Sequence, residues 1–203
     1  MSPVSSKRRL FGLDRSGPRP TVTMRGQPLH PLTIPNLVGY ARLAGIPVFL
    51  YLALSSDDGR TAAAAIIYLA IAASDYLDGF LARATGQYSR MGALLDPLVD
   101  RLTVLAGVVV CWKFELLPRW ALAVLAAREL TTLVIAQLGL RRGLELEINW
   151  VGRWSVWLVM GGIFLALVTA TTIAPAMFFT GLVGSLLASL LYVRAGLSEL
   201  QRK

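Results

Sequence analysis

Long apolar runs alternate with short polar segments along most of this chain. Six of these runs are long enough for a helix to cross the roughly 30 Å hydrocarbon core of a bilayer, which takes about 20 residues. They cover residues 35–54, 61–83, 92–113, 118–140, 150–171 and 174–194. The pattern predicts an all-α integral membrane protein, a bundle of six transmembrane helices.

The first 32 residues differ from the rest of the chain. They combine Pro, Ser and Gly with Lys7, Arg8, Arg9, Arg15, Arg19 and Arg25. Such a composition is typical of a flexible arm or of a segment that lies on an anionic membrane surface. We expect a short cytoplasmic or juxtamembrane arm at residues 1–32 and a single transmembrane domain at residues 33–200.

Composition and charge agree with this organisation. Of the 203 residues, 55% are hydrophobic and 16% are charged, whereas soluble domains have about 45–50% and about 25%. The net charge of +8 suits anionic lipid headgroups, and without a basic soluble domain we expect no nucleic-acid partner. In membrane proteins the cytoplasmic connections carry most of the Lys and Arg. Here the excess lies in the basic arm and at Arg83, Arg90, Arg141 and Arg142. We therefore predict a protein of the cell membrane with both termini in the cytoplasm.

Four aspartates interrupt the second and third apolar runs. They are Asp75, Asp78, Asp96 and Asp100. An aspartate near the middle of a membrane helix costs about 2.5–3.5 kcal/mol on insertion scales, so it generally faces a cavity, a partner or an ion. At about 100° per residue, each pair falls on one stripe of its helix. We expect the two stripes to face each other near the cytoplasmic third of the membrane.

The type of ligand indicates the type of metal. Carboxylates without nearby His or Cys favour Mg²⁺ or Mn²⁺ over Zn²⁺, and four of them suit two ions. Gly79, Ala82 and Gly92 lie on the same stripes and leave room for a ligand or a neighbouring helix. A divalent-cation transporter is an alternative of another class, because intramembrane carboxylates also mark ion pathways. Against it, no acidic residue continues the route outward on these helices.

The aspartates are part of a longer motif. It reads Asp75-x-x-Asp78-Gly79-x-x-Ala82-Arg83, eight further residues, and then Gly92-x-x-x-Asp96-x-x-x-Asp100. At all eight positions the chain resembles the CDP-alcohol phosphotransferase family. The resemblance implies transfer of a phosphatidyl group from CDP-diacylglycerol to an alcohol, with release of CMP in one displacement, and it suggests a homodimer.

The resemblance also implies a role for each motif residue. The four aspartates would bind two Mg²⁺ or Mn²⁺ ions, and Asp100 would also be the general base for the acceptor hydroxyl. The donor would be bound by Asp78, Gly79, Ala82, Arg83, Gly92 and Asn36.

Two further arginines are candidates for binding the acceptor. Arg128 and Arg153 suit a phosphorylated acceptor because a guanidinium can bind phosphate through two hydrogen bonds. An alternative is that Glu129 neutralises Arg128 within the bundle and that Arg153 only marks the inner boundary of its helix.

Several landmarks resemble bacterial phosphatidylglycerophosphate synthases, which implies glycerol 3-phosphate as the acceptor. They are Ile34-Pro35-Asn36-Leu37 with Arg42, Leu95-Asp96-Pro97 and Arg128-Glu129. The chain departs from that pattern at Gly39, where Thr is usual, and at Arg153, where Lys is usual. A cardiolipin synthase of the CDP-alcohol type, with phosphatidylglycerol as acceptor, is the main alternative, and an inositol phosphate acceptor is a weaker one.

Overall fold

The structure is a computed structural model that describes residues 28–141 and 150–200, without the side chains of Asp78 and of residues 135–141, 150–151 and 192–200. These described residues form six helices and no strand. The helices are α1 Ile34–Leu54, α2 Ala62–Thr85, α3 Arg90–Lys113, α4 Arg119–Arg141, α5 Trp150–Val168 and α6 Ile173–Leu200. The all-α prediction is confirmed for this part of the chain, whereas most of the expected N-terminal arm lies outside it.

Three segments of the described helices are both long and apolar enough to cross a membrane. They are Ile34–Leu54, Ala62–Thr85 and Ile173–Leu191, and Gly152–Val168 is a shorter apolar helix. Charged residues such as Asp96, Asp100 and Arg101 make α3 less apolar. The helices therefore agree with a membrane protein, but the count of six spans stays a prediction.

Hydroxyl side chains fix the beginnings of the first three helices. Thr33, Thr61 and Ser89 each accept a backbone N–H three residues further on, at 3.4, 3.3 and 2.9 Å respectively. Such N-caps satisfy N–H groups that have no partner within the helix. Gly86 follows the end of α2 with a φ of +68°, a left-handed conformation that glycine adopts without steric cost.

The chain divides into two compact units. Among the described residues, the first unit contains those up to Phe49 and Ile67–Thr103, and the second contains Leu50–Ile66 and those from Val104 onward. In the first unit, Tyr68 and Val99 are buried with Phe49, and the Phe49 and Tyr68 rings lie 5.2 Å apart between centroids. All four aspartates of the motif belong to this unit.

In the second unit, glycines allow α5 and α6 to approach closely. A Cβ atom on Gly162 would lie 2.7 Å from the backbone nitrogen of Phe178, and one on Gly181 would lie 2.6 Å from that of Val159. Real Cβ atoms do not come this close to a backbone. The contact between these helices therefore requires glycine at both positions, as in other closely packed membrane helices.

We expect Gly181→Ala to destabilise the protein by about 1–3 kcal/mol, because the added methyl group meets backbone that cannot easily move. Thermal unfolding of the detergent-solubilised protein measures the effect. Gly152→Ala is the matched control, since its Cβ would lie 3.5 Å from the Cβ of Ala188, an ordinary contact. Equal unfolding temperatures for the two variants would show that the close approach of α5 and α6 does not limit stability.

Candidate active site

A buried arginine connects two of the four aspartates. Arg42 of α1 donates from one terminal nitrogen to Asp75 Oδ1 at 3.3 Å and from the other to Asp100 Oδ1 at 2.5 Å. Its Nε donates to the backbone carbonyl of Ile71 at 3.2 Å. The expectation that α2 and α3 bring their carboxylates to one place therefore holds for Asp75 and Asp100.

The exposure of these side chains is unequal. The Arg42 side chain is 2% exposed, whereas those of Asp75 and Asp100 are 46% and 42% exposed. The guanidinium is thus enclosed by protein behind the two carboxylates, and each carboxylate is accessible on the side that faces away from Arg42.

The other two aspartates, Asp96 and Asp78, lie on α3 and α2. Asp96 is half-buried on α3, one helical turn before Asp100, and this spacing puts both on the same side of the helix. Asp78 lies on α2, but its side chain is outside the described part of the structure. Among the side chains that are described, no group of three His, Cys, Asp or Glu residues is placed to hold a metal.

The residues present nonetheless suit a hard divalent cation. Asp75 and Asp100 offer partly exposed carboxylate oxygens close to one shared guanidinium, and carboxylate oxygens are the ligands that Mg²⁺ and Mn²⁺ prefer. The donor set therefore fits the predicted type of metal.

Gly79 and Arg83, both predicted to bind the donor, lie one turn apart on α2. A Cβ on Gly79 would lie 3.2 Å from a terminal nitrogen of Arg83, so the guanidinium lies over the glycine. Arg83, Gly79 and Ala82 are all half-buried. The motif glycine thus leaves space for the head of the motif arginine, which is held near the surface of its own helix.

Asn36, in the first turn of α1, is the centre of a hydrogen-bond network at the starts of α1 and α3. Its Nδ2 donates to the carbonyls of His30 and Pro31, both at 3.0 Å. Its Oδ1 accepts the Ser89 hydroxyl at 2.8 Å. A Cβ on Gly92 would lie 2.8 Å from the same Oδ1. The described contacts of Asn36 therefore hold the protein together, and its predicted role in donor binding stays a prediction.

Gly39 lies close to the aspartate-bearing part of α3. A Cβ on this buried residue would lie 3.1 Å from Leu95 Cδ2, and Leu95 directly precedes Asp96. A threonine at position 39 would therefore require Leu95 to shift, which gives a physical reason for glycine here.

The two candidate acceptor arginines lie in the second unit, on α4 and α5. Arg128 forms an ion pair with the buried Glu129 and donates from Nε to the Ser189 hydroxyl at 3.1 Å. Glu129 thus neutralises Arg128, as the structural alternative predicted. Arg153 is half-buried near the start of α5.

Sequence reasoning noted Arg42 only as a landmark of a resemblance and did not identify it as part of the site. A signal was available: a single arginine in the middle of the apolar run 35–54 is as costly in a membrane as an aspartate and also needs a partner.

Comparison with known proteins assigns the family. A sequence profile of the CDP-alcohol phosphatidyltransferase family matches residues 32–190. The chain is 42% identical over 150 residues to a CMP-forming cardiolipin synthase of Streptomyces coelicolor, which covers 71% of this chain and 69% of that relative. This chain belongs to the CDP-alcohol phosphatidyltransferase family.

Further relatives carry two kinds of name. A putative cardiolipin synthase of Mycobacterium tuberculosis is 36% identical over 132 residues, which cover 64% of this chain and 62% of the relative's length. A CDP-diacylglycerol–glycerol-3-phosphate 3-phosphatidyltransferase of Bacillus subtilis is 29% identical over 136 residues, 61% of this chain and 70% of the relative. The predicted family and transferase class are confirmed, and with its apolar helices the chain is an integral membrane protein.

We expect Asn36→Ala to lower the free energy of unfolding by about 1–3 kcal/mol, because it removes hydrogen bonds to two backbone carbonyls and to the buried Ser89 hydroxyl. Thermal unfolding is measured together with the affinity for CDP-diacylglycerol. Gln87→Ala is the control, since Gln87 accepts a single exposed hydrogen bond from the Ile34 N–H. Unchanged stability with a loss of donor affinity would instead indicate that Asn36 acts directly on the donor.

Proposed function

We propose that this protein transfers the phosphatidyl group of CDP-diacylglycerol to an alcohol hydroxyl and releases CMP. The observation that carries the proposal is the intact eight-position motif, with its Asp75 and Asp100 gathered on the buried Arg42. The family assignment supports the same reaction.

In the proposed reaction, the acceptor oxygen attacks the phosphorus that carries the diacylglycerol. The bond from this phosphorus to the bridging oxygen breaks, and CMP leaves with the electron pair. Asp100 receives the proton of the acceptor hydroxyl, because a carboxylate within hydrogen-bond distance can act as a general base. No covalent intermediate with the protein is required.

The remaining motif residues would bind the metal and the donor. Asp75, Asp78, Asp96 and Asp100 would hold two Mg²⁺ or Mn²⁺ ions, which when bound offset the negative charge of the diphosphate. This family is generally dependent on divalent metals. The cytidine diphosphate group would be held by Asp78, Gly79, Ala82, Arg83, Gly92 and Asn36. The position of the Arg83 head over Gly79 supports a part for both in binding phosphate.

For the acceptor we propose glycerol 3-phosphate, bound with the help of Arg128 and Arg153. The sequence landmarks and the relatives named for this acceptor support the proposal. Arg128 also forms an ion pair with Glu129, so phosphate binding by Arg128 would take place beside this carboxylate.

Phosphatidylglycerol is the second candidate acceptor. It is favoured by the relatives at 42% and 36% identity, whose names contain cardiolipin synthase. An inositol phosphate acceptor and a divalent-cation transport function have less support, because the relatives named above do not point to either.

We further propose the arrangement in which the reaction takes place. Six helices would span the cell membrane with both termini in the cytoplasm, residues 1–32 would lie as a basic arm at its surface, and residues 33–200 would act as one catalytic domain. Two copies would form a homodimer. The basic connections predicted from the sequence support this orientation.

An acceptor panel tests the proposed function. Purified protein is given CDP-diacylglycerol with Mg²⁺ or Mn²⁺ and either glycerol 3-phosphate, phosphatidylglycerol or inositol 1-phosphate, and CMP and the lipid product are measured. We expect CMP release with glycerol 3-phosphate and formation of phosphatidylglycerophosphate. Product formation only with phosphatidylglycerol would show that phosphatidylglycerol, and not glycerol 3-phosphate, is the acceptor. No CMP release with any acceptor would contradict the enzyme function.

A substitution at Asp100 tests the proposed base. We expect Asp100→Asn to lower kcat by about 10²–10⁴-fold, the usual contribution of general base catalysis, with little loss of fold. The amide oxygen can still accept a hydrogen bond from Arg42. Turnover and thermal unfolding are measured together, and a kcat close to wild type would mean that another group takes the proton.

A further inference from the structure

Arg42 makes an unusually complete set of contacts for a single buried side chain. Each of its three nitrogens has a described acceptor: Nε has the Ile71 carbonyl, and the two terminal nitrogens have Asp75 and Asp100. The acceptors belong to two different helices, while Arg42 itself belongs to a third. One guanidinium thus connects α1, α2 and α3.

The contacts on α2 are arranged along one side of that helix. Ile71 and Asp75 are one turn apart, and the Ile71 carbonyl also accepts the Ser74 hydroxyl at 2.9 Å. Because a guanidinium is planar and its N–H directions are fixed, it determines the positions of its acceptors relative to one another. The ammonium group of a lysine, a single point of charge, does not.

Burial separates this role from substrate binding. The Arg42 side chain is 2% exposed and the two carboxylates are 42–46% exposed, so a ligand reaches the open side of the carboxylates and not the guanidinium. Groups that hold metal ligands from behind in this way orient them, and their loss typically costs about 10–100-fold in metal affinity or activity.

We propose that Arg42 is a positioning residue that sets the separation and orientation of Asp75 and Asp100 for metal binding and catalysis. The proposal rests on the function proposed above, since it takes these aspartates as metal ligands and Asp100 as the base. Arg42 acts through the carboxylates and does not itself contact the substrates.

Arg42→Lys tests the proposal because it keeps the positive charge and removes the planar guanidinium with its fixed N–H directions. Mn²⁺ binding to the purified protein is followed by electron paramagnetic resonance of the free ion, and kcat and KM are measured separately. We expect Mn²⁺ affinity and kcat each to fall about 10–100-fold. The KM for CDP-diacylglycerol, measured at saturating Mn²⁺, should change less than about threefold, since Arg42 does not contact the donor. Mn²⁺ affinity and kcat both within about threefold of wild type would overturn the proposal.

Arg60→Lys is the matched control. Arg60 belongs to the second unit, and its Nε donates to the Ala166 carbonyl at 3.2 Å. We expect the same substitution there to leave Mn²⁺ affinity unchanged. An equal loss in both variants would show a general effect of replacing arginine, and it would also overturn the proposal.

Two further variants keep the test decisive. If Arg42→Lys does not fold, Mn²⁺ binding is measured for Arg42→Gln, whose side chain is a planar amide without charge. The limit on the change in Mn²⁺ affinity that overturns the proposal is the same. In an Asp100→Asn background, Arg42→Lys should lower Mn²⁺ affinity by less than in the wild type, because interacting residues are not additive; full additivity counts against action through Asp100. The Mn²⁺ titration needs no turnover, so it reports on Arg42 even if the acceptor panel yields no product.

Discussion

The first unit depends on the need of a buried guanidinium for negative partners. An arginine that is 2% exposed would be very costly without a partner, because a buried charge needs an opposite charge or hydrogen-bond acceptors. Asp75 and Asp100 meet this need, and they are themselves too polar for an apolar helix without a partner. The same contact therefore neutralises a buried arginine and places two partly exposed motif carboxylates beside one guanidinium.

The helices could be predicted from the sequence because the signal is local. Apolar runs of membrane length and hydroxyl residues such as Thr33 and Ser89 lie next to the boundaries they determine, and the observed helices begin within two residues of the predicted starts. The grouping of Asp75 and Asp100 was also predictable, because helical periodicity puts each on a stripe.

The contacts of individual side chains could not be predicted in the same way. The partners of Arg42 depend on how three helices are rotated about their axes, and no short stretch of sequence encodes that rotation. Gly92 illustrates a second limit. A glycine in the sequence indicates free space beside the backbone, but it does not show whether a ligand or another side chain, here that of Asn36, fills that space. The ion pair of Arg128 was anticipated, because its partner Glu129 is the next residue.

The network around Asn36 has a mechanical consequence. The chain ahead of α1 is held by the Asn36 amide at His30 and Pro31, and the Met91 N–H of α3 donates to the Leu29 carbonyl at 3.1 Å. A pull on the chain before Leu29 would thus be carried to the helix with Asp96 and Asp100 as well as to α1. Residues 29–31 therefore couple the start of α1 to the start of α3.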